Sequence, residues 1–287
     1  MVQRGGVAST VIAGLLFGTT VPMIKLGLGL IPAESFVALR FTIAFLFIIL
    51  FFRKQGWVNR EILRTRPLWF LGLANAAGYV TQFQGQESVS SSNAALIIST
   101  AALMIPILAL VYGHERLGPA KISGVLTGFV GTVLVVTRGQ AVNLASSEFI
   151  GDILIVATAV TIALVFVWSK TLVAKFGGRA VTGGIIMTTS FLLWPTIPLD
   201  RGFSGYFTLQ AWFYVVFLAI PATVAAYYFL MKGLETVSPT VSSIILPIEV
   251  IVAVFLSVII FNDPFDIYSG TGAVLIIAGV ILVSTAT

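Results

Sequence analysis

Ten apolar runs, each about 20 residues long, follow one another along the chain. They lie at 7–29, 33–52, 67–87, 91–112, 118–137, 150–170, 180–199, 209–231, 239–261 and 267–286. A membrane-spanning helix needs about 20 mainly apolar residues, and its backbone groups must pair within the helix because lipid offers them no partner. Strands of a transmembrane barrel alternate apolar and polar residues, whereas stretches such as AFLFIILFF do not. The pattern predicts an all-α membrane protein with ten transmembrane helices.

Composition supports this interpretation. Of 287 residues, 58% are hydrophobic and 9% are charged, whereas a soluble domain carries about 25% charged residues. The short intervals between the runs leave no room for a soluble domain. The first run is too long for the core of a signal peptide, so we interpret it as a retained helix.

The basic residues predict the orientation of the helices. If the N-terminus is cytoplasmic, the segments on that side hold twelve of the sixteen Lys and Arg residues, and the opposite side holds only Arg138 and Arg201. Cytoplasmic loops of membrane proteins are enriched in Lys and Arg. We therefore expect a multi-pass protein of the cell (plasma or inner) membrane with both termini in the cytoplasm, and we attribute the basic pI to topology rather than to nucleic-acid binding.

The chain also contains an internal repeat. At an offset of 148 residues, glycines and acidic residues of the two halves fall on one another, and at an offset of 145 Lys25 falls on Lys170. An odd number of helices per repeat forces the second copy to enter the membrane from the opposite side, which is typical of transporters with a site between two inverted halves. We expect repeats at residues 1–138 and 149–287 around a central cavity. The aligned pairs are Gly85 and Gly233, Glu87 and Glu235, Val89 and Val237, Gly124 and Gly272, and Gly131 and Gly279.

A polar stripe runs along the predicted helix 67–87. Its members are spaced by four, three and four residues and so share one face of the helix. Amides are costly in lipid, so this face must point into the bundle, either as a cavity wall or as interhelical hydrogen bonds. We expect a cavity wall, completed by residues of other helices. The stripe comprises Asn75, Tyr79, Gln82 and Gln86, and the other expected substrate-binding residues are Asn93, Thr100, Trp168, Tyr227 and Glu249.

Three ionisable residues lie within the apolar runs. Glu249 is near the middle of the run 239–261, and a carboxylate at that depth is a functional candidate, as a proton carrier or a partner for a substrate amine. Arg40 stays charged, and we expect a gating role or contact with a substrate carboxylate. Lys25 lies near the outer end of the first helix, where an entry role competes with snorkelling to the interface.

The sequence resembles the EamA family of the drug/metabolite transporter superfamily over nearly its whole length. The residues that carry the resemblance are FGTTVPMIKLGL, ALRFTIAFL with Arg40, PILALVYGHERLGPAKISGVLTGFVGTVLVV, and its counterpart LPIEVIVAVFLSVIIFNDPFDIYSGTGAVLIIAGVILV. The resemblance implies a ten-helix metabolite permease whose cavity is lined mainly by the first, third, fourth, sixth, eighth and ninth helices. Asp263 replaces the family's usual glutamate at the end of the ninth helix.

From these observations we expect a secondary transporter that works by alternating access. Its expected substrates are small polar metabolites, most of all amino acids, and the sequence leaves open whether transport is coupled to protons. The alternatives are an exporter of hydrophobic or cationic toxic compounds and, in another class, a non-transporting scaffold or receptor. The chain has no Cys and a single His, His114, so we expect no enzyme activity, metal or cofactor. The expected partners are a small-molecule substrate, the lipid bilayer and, for coupled transport, protons. A monomer is expected, with a homodimer as the alternative.

Overall fold

The computed structural model of the chain describes residues 4–112, 118–137, 146–200, 208–237, 245–262 and 266–285. Within these ranges the chain is helical apart from short connections, and no strand occurs. The prediction of an all-α chain is confirmed for them. The helices are α1 Arg4–Gly18, α2 Thr20–Leu28, α3 Ala33–Phe52, α4 Arg60–Leu63, α5 Arg66–Ser88, α6 Ser91–Ser99, α7 Ala101–Val111, α8 Pro119–Thr137, α9 Ser147–Phe176, α10 Gly178–Leu193, α11 Leu209–Ala219, α12 Ala226–Thr236, α13 Ile245–Phe261 and α14 Ile267–Thr285.

Seven helical stretches of the described chain are long and apolar enough to cross a membrane. They are Gly5–Leu28, Ala33–Gln55, Ser91–Val111, Pro119–Thr137, Ser147–Phe176, Gly178–Ile197 and Leu209–Thr236. Two shorter apolar helices cover Ile248–Phe261 and Ile267–Leu282. Helix α5 has 23 residues, which is enough to span the hydrocarbon core, and it differs from the others because it carries the polar stripe.

Three of the long stretches are interrupted. Thr19 separates α1 from α2, and Thr100 separates α6 from α7. Between α11 and α12 the chain forms a π-helical turn, Ile220–Ala225, which includes Pro221. Proline removes a backbone donor, and π-turns within α-helices often occur at functional sites. The predicted run 209–231 therefore becomes two helices joined by an irregular turn.

Antiparallel helix pairs pack closely at glycines. A Cβ atom placed on Gly85 of α5 would lie 2.9 Å from the carbonyl oxygen of Gly151 of α9. A Cβ atom on Gly233 of α12 would likewise lie 3.2 Å from the carbonyl oxygen of Gly6 of α1. We call these the α5–α9 pair and the α1–α12 pair. Because glycine lacks Cβ, the two backbones of each pair can approach closely.

A second glycine contact joins α8 and α14. A Cβ atom on Gly131 would lie 2.7 Å from the carbonyl oxygen of Gly272, and one on Gly279 would lie 2.5 Å from that of Gly124. Gly128 also lies in this contact, because a Cβ atom on Gly279 would lie 2.7 Å from the backbone nitrogen of Gly128. The glycine faces of α8 and α14 are therefore buried against each other within one chain.

Candidate functional site

A cavity lies between the α5–α9 pair and the α1–α12 pair. Along each helix the lining residues recur every three or four positions, as one helical face requires. The lining is completed from α2, α6 and α13. The residues that line the cavity are Phe17, Thr20, Asn75, Gly78, Tyr79, Gln82, Ile98, Thr158, Thr161, Ile162, Val165, Phe166, Tyr227, Leu230 and Glu249.

Hydrogen bonds join the cavity walls at mid-length of the helices. The hydroxyl group of Tyr227 donates to Oδ1 of Asn75, and Nδ2 of Asn75 donates to Oγ1 of Thr189 at 3.0 Å. Within the α5–α9 pair, the Thr158 hydroxyl donates to the carbonyl oxygen of Gly78 at 3.1 Å. Amide and hydroxyl groups with both donor and acceptor capacity therefore border the cavity, so its wall can hydrogen-bond a polar solute.

The charge of the cavity comes from Glu249. It is the one acidic residue in the described lining, and no Lys, Arg or His belongs to that lining. Aromatic rings surround the same space, and Phe17 meets Tyr227 edge to face with ring centroids 5.4 Å apart. A carboxylate together with aromatic rings favours a positively charged ligand group.

The cavity is narrow in this conformation. The space open to the centres of water molecules amounts to about 50 Å³, and one water needs about 10–15 Å³ by this measure. The cavity therefore has room for a few water molecules. The walls have to move apart before a metabolite can enter.

Arg40 lies behind the cavity wall and is fully buried. Its Nε donates to Oγ1 of Thr223 at 2.7 Å, and Nη2 donates to the carbonyl oxygen of Ala222 at 3.1 Å. Its guanidinium carbon is 4.7 Å from the centroid of the ring of Tyr79, which is itself a lining residue. Nη1 has no hydrogen-bond partner among the described residues. Arg40 thus connects α3 to the π-helical turn and to α5.

Lys25 lies at the end of α2 beyond the cavity. Its ammonium group donates to the carbonyl oxygens of Gln86 at 2.6 Å and Val89 at 2.9 Å. These carbonyls belong to the C-terminal end of α5, where helical carbonyls lack an intrahelical partner. The contact is with backbone rather than with the cavity.

Four further residues predicted to bind substrate are not among those lining the cavity. Gln86 is buried one turn beyond Gln82, and its side-chain amide has no hydrogen-bond partner among the described residues. Asn93 accepts a bond from the Ser269 hydroxyl at 3.3 Å. Thr100 borders an apolar groove between α7 and α8, and Trp168 packs edge-on against Tyr112 at 6.0 Å. His114 and Asp263 lie outside the described residues.

Comparisons with known proteins identify the kind of molecule to which this cavity belongs. The model of the EamA-like transporter family matches the chain twice, over residues 4–137 and 149–285. The chain belongs to the EamA-like transporter family. Its membership makes the protein a membrane transporter rather than an enzyme, in agreement with the sequence interpretation.

Relatives of this EamA-like transporter match along nearly their whole length. An uncharacterized transporter of Archaeoglobus fulgidus is 24% identical over 93% of both chains. The uncharacterized transporter YetK of Bacillus subtilis is 24% identical over 97% of this chain and 86% of its own. The uncharacterized inner membrane transporter YicL of Salmonella typhimurium is 24% identical over 98% of this chain and 95% of its own. A solved crystal structure shares the fold, with a TM-score of 0.70, 22% identity and 96% coverage of both chains.

Several cavity residues of this EamA-like transporter were not on the list of expected binding residues. Thr158, Thr161 and Val165 lie on the same helical face as Trp168, at spacings of three and four, and these three residues line the cavity whereas Trp168 does not. Phe17 and Thr20 flank the interruption at Thr19. Nothing in their residue types alone distinguishes them from ordinary packing positions.

Proposed function

We propose that the protein is a secondary transporter of small polar metabolites, with amino acids as the first substrate class, and that it works by alternating access. The observation that carries the proposal is the Glu249 carboxylate in a cavity whose walls also present amides and hydroxyls. An intramembrane carboxylate is costly and is typical of substrate or proton sites. Glu249 is proposed to bind the substrate amine and to exchange a proton for it during the transport cycle.

The proposed architecture is two inverted five-helix repeats, residues 1–138 and 149–287, with ten membrane spans. Reciprocal contacts support it. The contact between Gly131 and Gly272 has its counterpart between Gly279 and Gly124, since each residue is replaced by its repeat mate at an offset of 148. Reciprocal contacts of this kind are the signature of a two-fold axis. The two matches of the family model along the chain agree with the same arrangement.

Proteoliposomes test the function directly. Purified protein is reconstituted, and counterflow of labelled amino acids and related amines is measured with and without an imposed pH jump. We expect saturable flux that responds to the pH jump. We expect Glu249→Gln, which has almost the same shape but no charge, to abolish either substrate binding or the response to pH.

Glu61→Gln is the matched control, because Glu61 is exposed at the N-terminal end of the short helix α4. It should transport as the unmodified protein does. Absence of counterflow for every compound of a broad panel would contradict transport of small polar metabolites. Unchanged flux and pH response in Glu249→Gln would leave Glu249 with a structural role only.

Export of hydrophobic cations is the second candidate. It is favoured by the aromatic rings that line the cavity together with Glu249. The described lining contains no basic residue, which leaves the carboxylate of a zwitterion without a cationic partner there. Cells that express the protein should then survive lipophilic cations such as tetraphenylphosphonium at concentrations that stop control cells. Protection without amino-acid counterflow would decide for this candidate.

The orientation and oligomeric state are proposed from the same evidence. The distribution of Lys and Arg supports cytoplasmic termini, and the name of YicL supports an inner membrane location. The mutual burial of the α8 and α14 glycines within one chain supports a monomer, because this surface is not available to a second copy. Reactivity of cysteines introduced near each terminus toward an impermeant reagent would test the orientation.

A further inference from the structure

Two lysines make equivalent contacts at the ends of two helices. The Lys25 ammonium donates to the carbonyl oxygens of Gln86 and Val89 at the end of α5. The Lys170 ammonium donates to those of Leu234 at 2.5 Å and Val237 at 2.8 Å, at the end of α12. At the offsets of the internal repeat, 145 for the lysines and 148 for the carbonyls, each member of one contact aligns with a member of the other. We call these contacts the Lys25 clamp and the Lys170 clamp.

The contacts are favourable for a general reason. The last carbonyl groups of a helix have no intrahelical partner and carry the negative end of the helix dipole. An ammonium group brings three donors and a positive charge. In a membrane, water does not replace such a partner as readily as it does at a protein surface. Each clamp therefore ties the end of one helix to a particular neighbour.

The clamps connect the two helix pairs rather than the members of one pair. Lys25 follows α1 on α2 and binds α5, whereas Lys170 is on α9 and binds α12. Close glycine contacts join α5 to α9 and α1 to α12. The Lys170 clamp thus joins the α5–α9 pair to the α1–α12 pair directly. The Lys25 clamp joins α5 to α2, the helix that continues α1 beyond Thr19.

The clamps lie at opposite ends of the cavity. In the antiparallel α5–α9 pair, Gly78 faces Thr161 while Gly85 faces Gly151. The α5 residues that line the cavity end at Gln82, and Gln86 follows four residues later, about 6 Å along the helix. On α9 the lining ends at Phe166, and Lys170 follows four residues later in the opposite direction. Each clamp is therefore about one helical turn beyond the cavity, at its own end.

We infer that the two clamps are the latches of the two cavity mouths, so that the Lys25 clamp breaks when one end opens and the Lys170 clamp breaks when the other opens. The inference rests on the proposed alternating-access function. It makes Lys25 and Lys170 positioning residues rather than substrate ligands. Loss of one clamp should shift the conformational equilibrium toward the state in which the cavity is open at the end of that clamp.

The test uses the absence of native cysteine from the chain. A single cysteine, Ile162→Cys, is placed in the cavity lining, and a membrane-impermeant thiol reagent is applied to reconstituted protein from one side or the other. Lys25→Met should raise the labelling rate from one side about tenfold, which corresponds to about 1.4 kcal/mol. Lys170→Met should raise it by a similar factor from the opposite side. With cytoplasmic termini, the Lys25 effect appears from the outer side.

Two controls separate this outcome from a loss of structure. Lys175→Met removes an exposed lysine near the C-terminal end of α9, the helix that carries Lys170, and should leave the labelling rate unchanged. Lys25→Arg keeps a charged donor and should restore most of the original side preference. If both Met variants raise labelling from the same side or from both sides equally, or if neither changes it, the latches do not exist as described.

The labelling experiment needs no substrate, so the two proposals fail separately. Side-specific labelling changes without flux of any compound would retain the latches and reject the metabolite transport proposal. Normal flux by the unmodified protein with unchanged labelling in both Met variants would reject the latches alone.

Discussion

The glycine contact between α8 and α14 gives the most direct test of the packing. A Cβ atom on Gly279 would lie 2.5 Å from the carbonyl oxygen of Gly124 and 2.7 Å from the backbone nitrogen of Gly128. Both neighbours are backbone atoms, so a rotamer change cannot remove the clash. Because favourable contacts between heavy atoms lie at about 3.5–4.0 Å, Gly279→Ala has to move the two helices apart by about 1 Å.

The cost follows from two opposing terms. Overpacking a well-packed contact costs about 1–3 kcal/mol. Alanine in place of glycine within a helix recovers about 0.5–1 kcal/mol, because it restricts the unfolded chain. We therefore expect Gly279→Ala to lower the free energy of unfolding by up to about 2.5 kcal/mol, with a central value of about 1 kcal/mol.

Unfolding in detergent micelles, followed by fluorescence of the five tryptophans, measures this change. Gly5→Ala is the matched control, because Gly5 is in helix α1 and a Cβ atom there would meet nothing within 4 Å; it should be neutral or slightly stabilising. If Gly279→Ala is as stable as Gly5→Ala, α8 and α14 do not meet backbone to backbone.

Two further substitutions probe contacts around the cavity. Tyr227→Phe removes the hydrogen bond to Asn75 and should lower the free energy of unfolding by about 0.5–1.5 kcal/mol. In a double-mutant cycle with Asn75→Leu, the combined loss of stability should be smaller than the sum of the two single losses. Fully additive losses would show that the bond contributes nothing. Arg40→Lys cannot keep the bonds to both Ala222 and Thr223, because lysine lacks the guanidinium fork, and it should cost about 1.5–3 kcal/mol in chemical unfolding. The exposed Arg53→Lys serves as its control, and equal stability of the two variants would contradict a bracing role for Arg40.

The hydropathy pattern is sufficient to predict that the chain is helical, because each transmembrane helix needs a long apolar run of its own. It does not predict the interruptions at Thr19 and Thr100, which depend on packing around an otherwise regular helix. Nor does it place the ends of helices well: α9 continues to Phe176, six residues beyond the predicted run, because polar residues near the interface are tolerated in a helix.

The polar stripe on α5 shows how far the site itself can be predicted. Spacing identifies the buried face, and Asn75, Tyr79 and Gln82 on that face do line the cavity. Gln86 has the same residue type as Gln82 and lies on the same face, but it is one turn nearer the C-terminal end of α5, where its carbonyl oxygen belongs to the Lys25 clamp. Periodicity gives direction around a helix and carries no information about how far a cavity extends along it.

The partners of Arg40 and of the two lysines are inaccessible to sequence reasoning for another reason. Lys25 and Lys170 bind backbone carbonyls, and every residue has a carbonyl group whatever its side chain. No pattern of residue types therefore marks the acceptor. The internal repeat aligns the two lysines with each other, but only the packing of α2 on α5 and of α9 on α12 shows what they bind.

The contacts between the α5–α9 pair and the α1–α12 pair lie at three depths, and their chemistry differs. At the two ends a lysine donates to backbone carbonyl oxygens. At mid-depth the Tyr227 hydroxyl binds the Asn75 amide, and both groups border the cavity, so a polar solute can compete for them. A solute that replaces this central bond weakens the link between the pairs without favouring either end. In the proposed alternating-access cycle, the choice of end would then depend on the balance of the two clamps. Their acceptors align in the sequence at an offset of 148, so we expect the two states to be close in free energy, and a modest difference in affinity would shift their populations.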